Sequence, residues 1–227
     1  MCGRYDLTEL PIEQFEQLLG RAIRNQIGDV EPRYNIAPSQ SVPIVRRAAD
    51  GKFEVAHTRW GLLPFWAKEP KLKYSTINAR AETVDRAPAF REAFRARRCL
   101  VPATGWYEWQ TLPGAQNKQP WRIHLRDNRP VAFAGLWERW RGGGQIIESN
   151  TIIVTDAVQV LSETHDRMPV ILNAETARRW MSSEQQDPAE LKTLLQPHLP
   201  ADLDWYKVST RVNNARTEAP ELIAAME

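Results

Sequence analysis

A cysteine in second position can do chemistry that a cysteine elsewhere in a chain cannot. The sequence opens Met1-Cys2-Gly3-Arg4. Loss of the initiator methionine would leave Cys2 with a free α-amine and a thiol on adjacent carbons. The amine condenses with an aldehyde to an imine, and the thiolate then adds to the imine carbon to close a five-membered thiazolidine. Both groups suit neutral pH, with ordinary values of about 7.7–8.0 for the amine and about 8.5 for the thiol. The thiolate is also an acyl-transfer nucleophile. Gly3 leaves the neighbouring backbone free, and Arg4 can hold an anion. The competing reading is that Cys2 is a chance second residue, so acids, bases and a pocket must come from elsewhere in the chain.

Three short polar islands offer them. In Ser75-Thr76-Ile77-Asn78-Ala79-Arg80-Ala81-Glu82, an extended backbone points Asn78, Arg80 and Glu82 to one side, where they can orient a substrate and grip a phosphate. The other reading, a helix-entry segment with its polar side in water, is the one spacing alone favours. In Gly105-Trp106-Tyr107-Glu108-Trp109, enclosure of Glu108 by aromatics would favour its neutral form and raise its pKa, as a general acid-base requires. Alternatively Trp106 and Glu108 share a solvated strand face. In Thr164-His165-Asp166-Arg167-Met168-Pro169, His165 is the one histidine of four set in a compact polar cluster. It is a candidate proton shuttle, with Asp166 or Glu163 to orient it and Arg167 to bind an anion, unless the segment is only a surface turn. A fourth stretch, Trp60 to Lys68 and on through Lys71 and Lys73, interleaves aromatics with lysines as single-stranded nucleic-acid binders do. A solvated loop over buried tryptophans competes with that reading.

The composition frames these candidates. A chain of 227 residues with 42% hydrophobic and 26% charged residues can bury a substantial core as one large domain or two small ones. A net charge of +2 means that any nucleic-acid affinity comes from a local cluster. Two cysteines, Cys2 and Cys99, make no disulfide framework, and a reducing cytosol is expected. No apolar run reaches membrane-spanning length and no signal segment is recognisable. No Cys/His pair has zinc-like spacing and no glycine-rich phosphate loop precedes a helix, so neither metal nor cofactor is expected.

The elements that must position the islands are mostly strands. The sequence predicts an amphipathic helix over 11–23, capped by Thr8, and then a loop over 28–40. Paired strands follow at 41–48 and 53–60 across Asp50-Gly51. A helix is predicted over 82–98, then strands at 99–103 and 106–110, a polar loop at 113–119 and a half-buried strand at 121–126. Strands at 131–137 and 146–155 join through the glycines 142–144. Helices are predicted at 173–181 and 187–196, a strand at 205–208 and a helical tail at 221–225. This pattern predicts a β-rich α+β fold, a mainly antiparallel sheet or barrel with peripheral helices.

The motifs together are more specific than any one of them. MCGR at 1–4, RYNIAPSQ at 33–40, WGLLPFW at 60–66, INARAET at 77–83, GWYEW at 105–109 and HDRMP at 165–169 resemble, in order, the SOS-response-associated peptidase (SRAP) family. The resemblance implies a single domain over 1–227 that senses abasic sites in single-stranded DNA. It implies a thiazolidine crosslink through Cys2, self-removal of Met1 and lyase-type activity in the DNA-damage response. It sets Asn78, Glu108 and His165 beside Cys2 as catalytic residues. Arg4, Arg80 and Arg167 are expected near DNA phosphates, and Trp66 and Pro38 against flanking bases. A monomer in the cytoplasm, at damaged DNA in the nucleoid, is the expected working state.

Two other classes remain open on the sequence. A glutamine amidotransferase or other N-terminal-nucleophile hydrolase also begins Met-Cys-Gly, but it usually needs an Asn-Gly pair for the oxyanion, and Asn78-Ala79 is a poor substitute. A non-catalytic single-strand binder would make no demand on Cys2.

Overall fold

Two hairpins start the architecture of the chain. In the computed structural model, which describes residues 2–114, 117–184 and 187–226, β4 (Ser41–Arg47) and β5 (Phe53–Trp60) pair antiparallel around Gly51 at φ 80°. β10 (Val131–Gly142) and β11 (Gln145–Asp156) pair around Gly143 and Gly144, at φ 54° and 74°. Positive φ is where glycine costs least, which is why both turns were legible. Between these hairpins lie β6 (Asn78–Arg80), β7 (Arg98–Ala103), β8 (Gly105–Gln110) and β9 (Gln119–Leu125). Before them come β1 (Tyr5–Leu7), β2 (Ile23–Asn25) and β3 (Arg33–Ile36). After them come β12 (Arg167–Pro169), β13 (Ile171–Leu172) and β14 (Leu203–Lys207). The helices are α1 (Ile12–Leu19), α2 (Arg91–Ala96), α3 (Gln159–Ser162), α4 (Ala174–Trp180) and α5 (Pro188–Thr193).

The larger sheet runs β12-β11-β10-β7-β4-β5-β2, and β5 pairs again with β11, so five of its strands close a ring. The closing contact is parallel, Ser149 to Arg59 and Asn150 to Trp60, and the other neighbours in the ring are antiparallel. The smaller sheet runs β14-β9-β8-β1-β3. Period-two alternation sends Cys99 and Val101 of β7 into the cluster that holds Tyr5 and Trp106 of the smaller sheet. Leu100 faces the other way, into the cluster filled by Phe15, Trp180 and Leu191 of the helices. The result is the β-rich α+β fold expected, with helices at the periphery.

Several local expectations need correction. The first helix ends at Leu19, where Gly20 at φ 65° terminates it, and Ile23 begins β2 instead. Pro11 is its N-cap, and the Thr8 N–H is bound to Thr104 Oγ1 at 3.0 Å. Part of the expected loop 28–40 is β3. Helix over 82–98 shrinks to α2, Arg91–Ala96, with turns before it, where Pro88 has no N–H to continue a helical ladder. The tail is a 3-10 turn, Pro220–Ile223. The expected loop 113–119 includes Ala115 and Gln116, which lie outside the described residues.

β9 is the main surprise. Its polar face is as buried as its apolar one, with Arg122 only 1% exposed. Arg122 Nε and Nη2 donate to Asp6 Oδ2 and Oδ1, each at 3.0 Å, and Nη1 donates to Asn128 Oδ1 and Tyr206 Oη. This two-pronged pair ties β1 across β8 to β9. Gly105 makes room for it: a Cβ there would sit 2.9 Å from Asp6 Oδ2 and 3.0 Å from Arg122 Nε.

Candidate active site

The site forms where four separate elements meet around Cys2. β1 places the chain start, since Tyr5 pairs with Trp106, Asp6 pairs with Gly105, and the Tyr107 N–H donates to the Arg4 carbonyl at 3.0 Å. That register sets Glu108 of β8 beside the first residues. β6 comes in parallel to β11, with Asn78 opposite Ile152. From there Asn78 Nδ2 donates to the Cys2 carbonyl at 2.7 Å. The loop before β12 brings His165, whose Nε2 lies 3.8 Å from Glu108 Oε2. Asn78, Glu108 and His165, spread over 87 positions of sequence, thus converge on one end of the chain.

The electrostatics follow from enclosure. Cys2 is fully buried, and burial, reinforced by the Glu108 carboxyl, pushes its thiol up. Glu108 is 2% exposed and burial raises it from 4.5 to about 8. The solvated-face reading of Trp106 and Glu108 is therefore excluded: both are buried. Burial lowers His165, with the Asp166 carboxylate opposing it. Its Nδ1 lies 3.0 Å from the Arg167 N–H and 2.8 Å from Asp166 Oδ1. One nitrogen cannot accept from the first and donate to the second. The backbone donor is fixed and Asp166 is exposed, so the neutral ring accepts at Nδ1 and carries its proton on Nε2, facing Glu108. Asn78 Oδ1 is buried and accepts no hydrogen bond among the described residues. A buried acceptor left open is costly unless a ligand or the chain start fills it.

The expected DNA-contacting residues fall into three conditions. Arg80 is exposed and pairs with no carboxylate among the described residues. Arg167 is paired with Glu82 and Asp156. Arg4 is half-buried: its Nη1 donates to Asn35 Oδ1 at 2.7 Å and to the Val212 carbonyl at 2.8 Å, and its guanidinium lies 5.9 Å from the Trp109 ring centre. Trp66 is 47% exposed beside Phe65, and its indole N–H donates to the Pro88 carbonyl at 3.2 Å. Pro38 stands half-buried at the turn entering β4, where Ser39 holds φ 72°.

Two contributors, Asn35 and Tyr5, were not singled out in the sequence, and a third, Glu82, takes another role than expected. Asn35, within RYNIAPSQ, donates from Nδ2 to the Asn214 and Thr217 carbonyls at 3.0 and 2.8 Å and so anchors the C-terminal segment under Arg4. Glu82 belongs to the Arg167 pair and not to a row with Asn78 and Arg80, because β6 stops at Arg80. Tyr5 presents a buried hydroxyl with no hydrogen-bond partner among the described residues, its ring edge-on to Trp60 at 5.2 Å. Its position after Arg4 was the only available signal.

Comparison with known proteins gives the same direction. The chain is 39% identical to the abasic site processing protein YoqW of Bacillus subtilis, over 98% of this chain and 99% of that one. It is 32% identical to the abasic site processing protein YedK of Escherichia coli, over 98% and 99%. It is 31% identical to the abasic site processing protein HMCES of Mus musculus, over 99% of this chain and 76% of the mouse protein. A crystal structure of a Bacteroides thetaiotaomicron protein superposes with a TM-score of 0.84 at 25% identity, over the whole of both chains. Residues 1–215 match the family described as SOS response associated peptidase (SRAP). With its ordered motifs and its fold, the chain belongs to the SOS-response-associated peptidase family.

Proposed function

We propose that the chain, as one domain over 1–227, processes abasic sites by forming a covalent thiazolidine between Cys2 and an abasic site in single-stranded DNA. The observation that carries this reading is the pinning of Cys2 by Asn78 beside a buried Glu108 raised to about 8. Three abasic site processing proteins among its relatives support it.

The chemistry runs as follows. The ring-opened abasic sugar offers C1′ as an aldehyde. The α-amine of mature Cys2 adds to C1′, and loss of one water leaves the imine. Cys2 Sγ then adds to the imine carbon, and the thiol proton ends on the ring nitrogen. One C–N and one C–S bond form, water leaves, and no electrons change hands. His165 Nε2–H is suited to protonate the sugar ring oxygen during opening. Glu108, mostly protonated at neutral pH, supplies a proton to the departing hydroxyl. Its carboxylate form takes the proton that the buried thiol gives up. Asn78 Oδ1 is the free acceptor for the α-amine. The same Cys2 and Glu108 serve the removal of Met1, a residue outside the described ones, and an imine that fails to close can eliminate the 3′ phosphate as a lyase does.

For the strand itself, Arg80 offers an uncompensated cation. Arg167 joins it by exchanging Glu82 and Asp156 for phosphate, Arg4 borders Cys2, and Trp66 and Pro38 meet flanking bases. The working form is a monomer acting in the cytoplasm at damaged DNA. The test is incubation of mature protein with abasic single-stranded DNA and a denaturing gel. A heat-stable adduct lost in Cys2→Ala is expected. Normal crosslinking by the alanine variant would overturn the reading.

A further inference from the structure

A second recess adjoins the site. The end of β5 and β6 both run parallel to β11, at residues 149–150 and 152–154, so residues 61–77 form an excursion pinned at both feet to one strand. Its neck is closed: the Trp60 indole N–H donates to the Ile77 carbonyl at 2.9 Å, and the Leu62 N–H to the Thr76 carbonyl at 3.2 Å. Leu63 and Ala67 pack on Trp140 beneath it, and the Trp140 indole N–H donates to the Ala67 carbonyl at 2.7 Å. A loop so anchored is a built wall.

The wall borders an open recess of about 170 Å³, lined by Arg59, Trp60, Lys71, Tyr74, Ser75 and Thr76 among others. That is room for about six waters, the bulk of one heterocyclic base. Tyr74 is 51% exposed, and neither Arg59 nor Lys71 pairs with a carboxylate among the described residues. Thr76 and Ile77 lead directly into Asn78, and Ser39, next to Pro38, is on the rim. The recess is thus polar, cationic, edged by the exposed Tyr74 ring, and joined through Ile77 to the strand that carries Asn78. We propose that it is a nucleotide subsite: it takes the base of a nucleotide neighbouring the abasic one in the same strand, with Tyr74 against the face of the base and Arg59 and Lys71 on its phosphate. The proposal rests on the DNA reading above and adds to it what the excursion binds.

The test uses the full mature chain and a short single-stranded oligonucleotide with one central abasic site. A second oligonucleotide carries tetrahydrofuran spacers in place of the neighbouring bases. Base stacking contributes enough for about a tenfold change. For wild type, the half-saturating concentration for crosslinking should rise about tenfold with the spacer strand. Tyr74→Ala should show part of that loss already with the full-base strand and a correspondingly smaller further loss with the spacer strand, the remainder belonging to the flanking-base contacts of Trp66 and Pro38. Lys71→Gln should weaken both strands alike and flatten the salt dependence. Melting temperatures equal to wild type check that these exposed substitutions leave the fold intact. Equal affinity of Tyr74→Ala and wild type for the full-base strand would overturn the proposal, as would additive losses from variant and spacer. At saturating DNA all these proteins should still crosslink. Absence of any crosslink from wild type sinks the parent reading, a result separate from failure of the subsite.

Discussion

Replacing Glu108 by glutamine should make the protein more stable, and more so as pH rises. The carboxyl is 2% exposed and burial raises it from 4.5 to about 8. Below pH 4.5 it is protonated whether the chain is folded or not, and contributes no pH dependence. Between 4.5 and about 8 the unfolded chain releases the proton and the folded chain keeps it. The folded state then binds more protons, so stability falls as pH rises through this window. Above about 8 both states are ionised and the full cost is present. At about 1.4 kcal/mol per pH unit of separation, that cost reaches ~5 kcal/mol. Water penetration and relaxation in real interiors make ~2–4 kcal/mol the working expectation. Glutamine keeps the shape and cannot ionise. Urea unfolding of wild type and Glu108→Gln at pH 5, 6.5 and 8.5 measures the difference. His165, Asp6 and the other titrating groups are common to both proteins and cancel. The two should lie within about 1 kcal/mol at pH 5, and the variant should be ahead by ~2–4 kcal/mol at pH 8.5. Parallel pH profiles would refute the raised carboxyl, and with it the assignment of Glu108 as an acid poised near neutrality.

Other substitutions test neighbouring parts of the argument. Cys2→Ser keeps the α-amine but loses the thiolate, so its imine should stay open and need borohydride to survive denaturation. An unreduced serine adduct as durable as wild type would show that no ring closes through sulfur. Arg80→Gln should shallow the dependence of log affinity on log salt by about 0.7, the single-strand value for one phosphate contact, and an unchanged slope removes Arg80 from the DNA path. Gly105→Ala puts a Cβ 2.9 Å from Asp6 Oδ2. Disturbing a buried ion pair costs about 3–5 kcal/mol, so its urea midpoint should fall steeply, and a wild-type midpoint would mean that the pair shifts freely.

The sequence by itself determined what is written in neighbouring residues. Asp50-Gly51 and the glycines at 142–144 specify their hairpins because only a few residues at a turn decide φ. Asn173 and Asp187 specify helix starts because their side chains accept N–H groups from the first turn, those of Thr176 and Ala189. The six motifs, quoted in order, carried the family. The resemblance they carry implied Cys2, Asn78, Glu108 and His165 as the groups to bring together, but gave no distance between them. Only the tertiary structure decided that Glu108 is enclosed, since a strand pattern of alternating residues reads alike whether one face or both are covered. Arg122 sits on the polar side of a strand that the same alternation marked only as half-buried, and its partner Asp6 lies 116 positions away. Arg80 and Arg167 look equivalent in sequence. They differ because Glu82 and Asp156 meet Arg167 through chain packing, while Arg80 has no carboxylate partner among the described residues. Charge pairing and burial depend on contacts between distant segments, and such contacts exist only once the parallel closure of β5 and β6 on β11 has fixed where each segment lies.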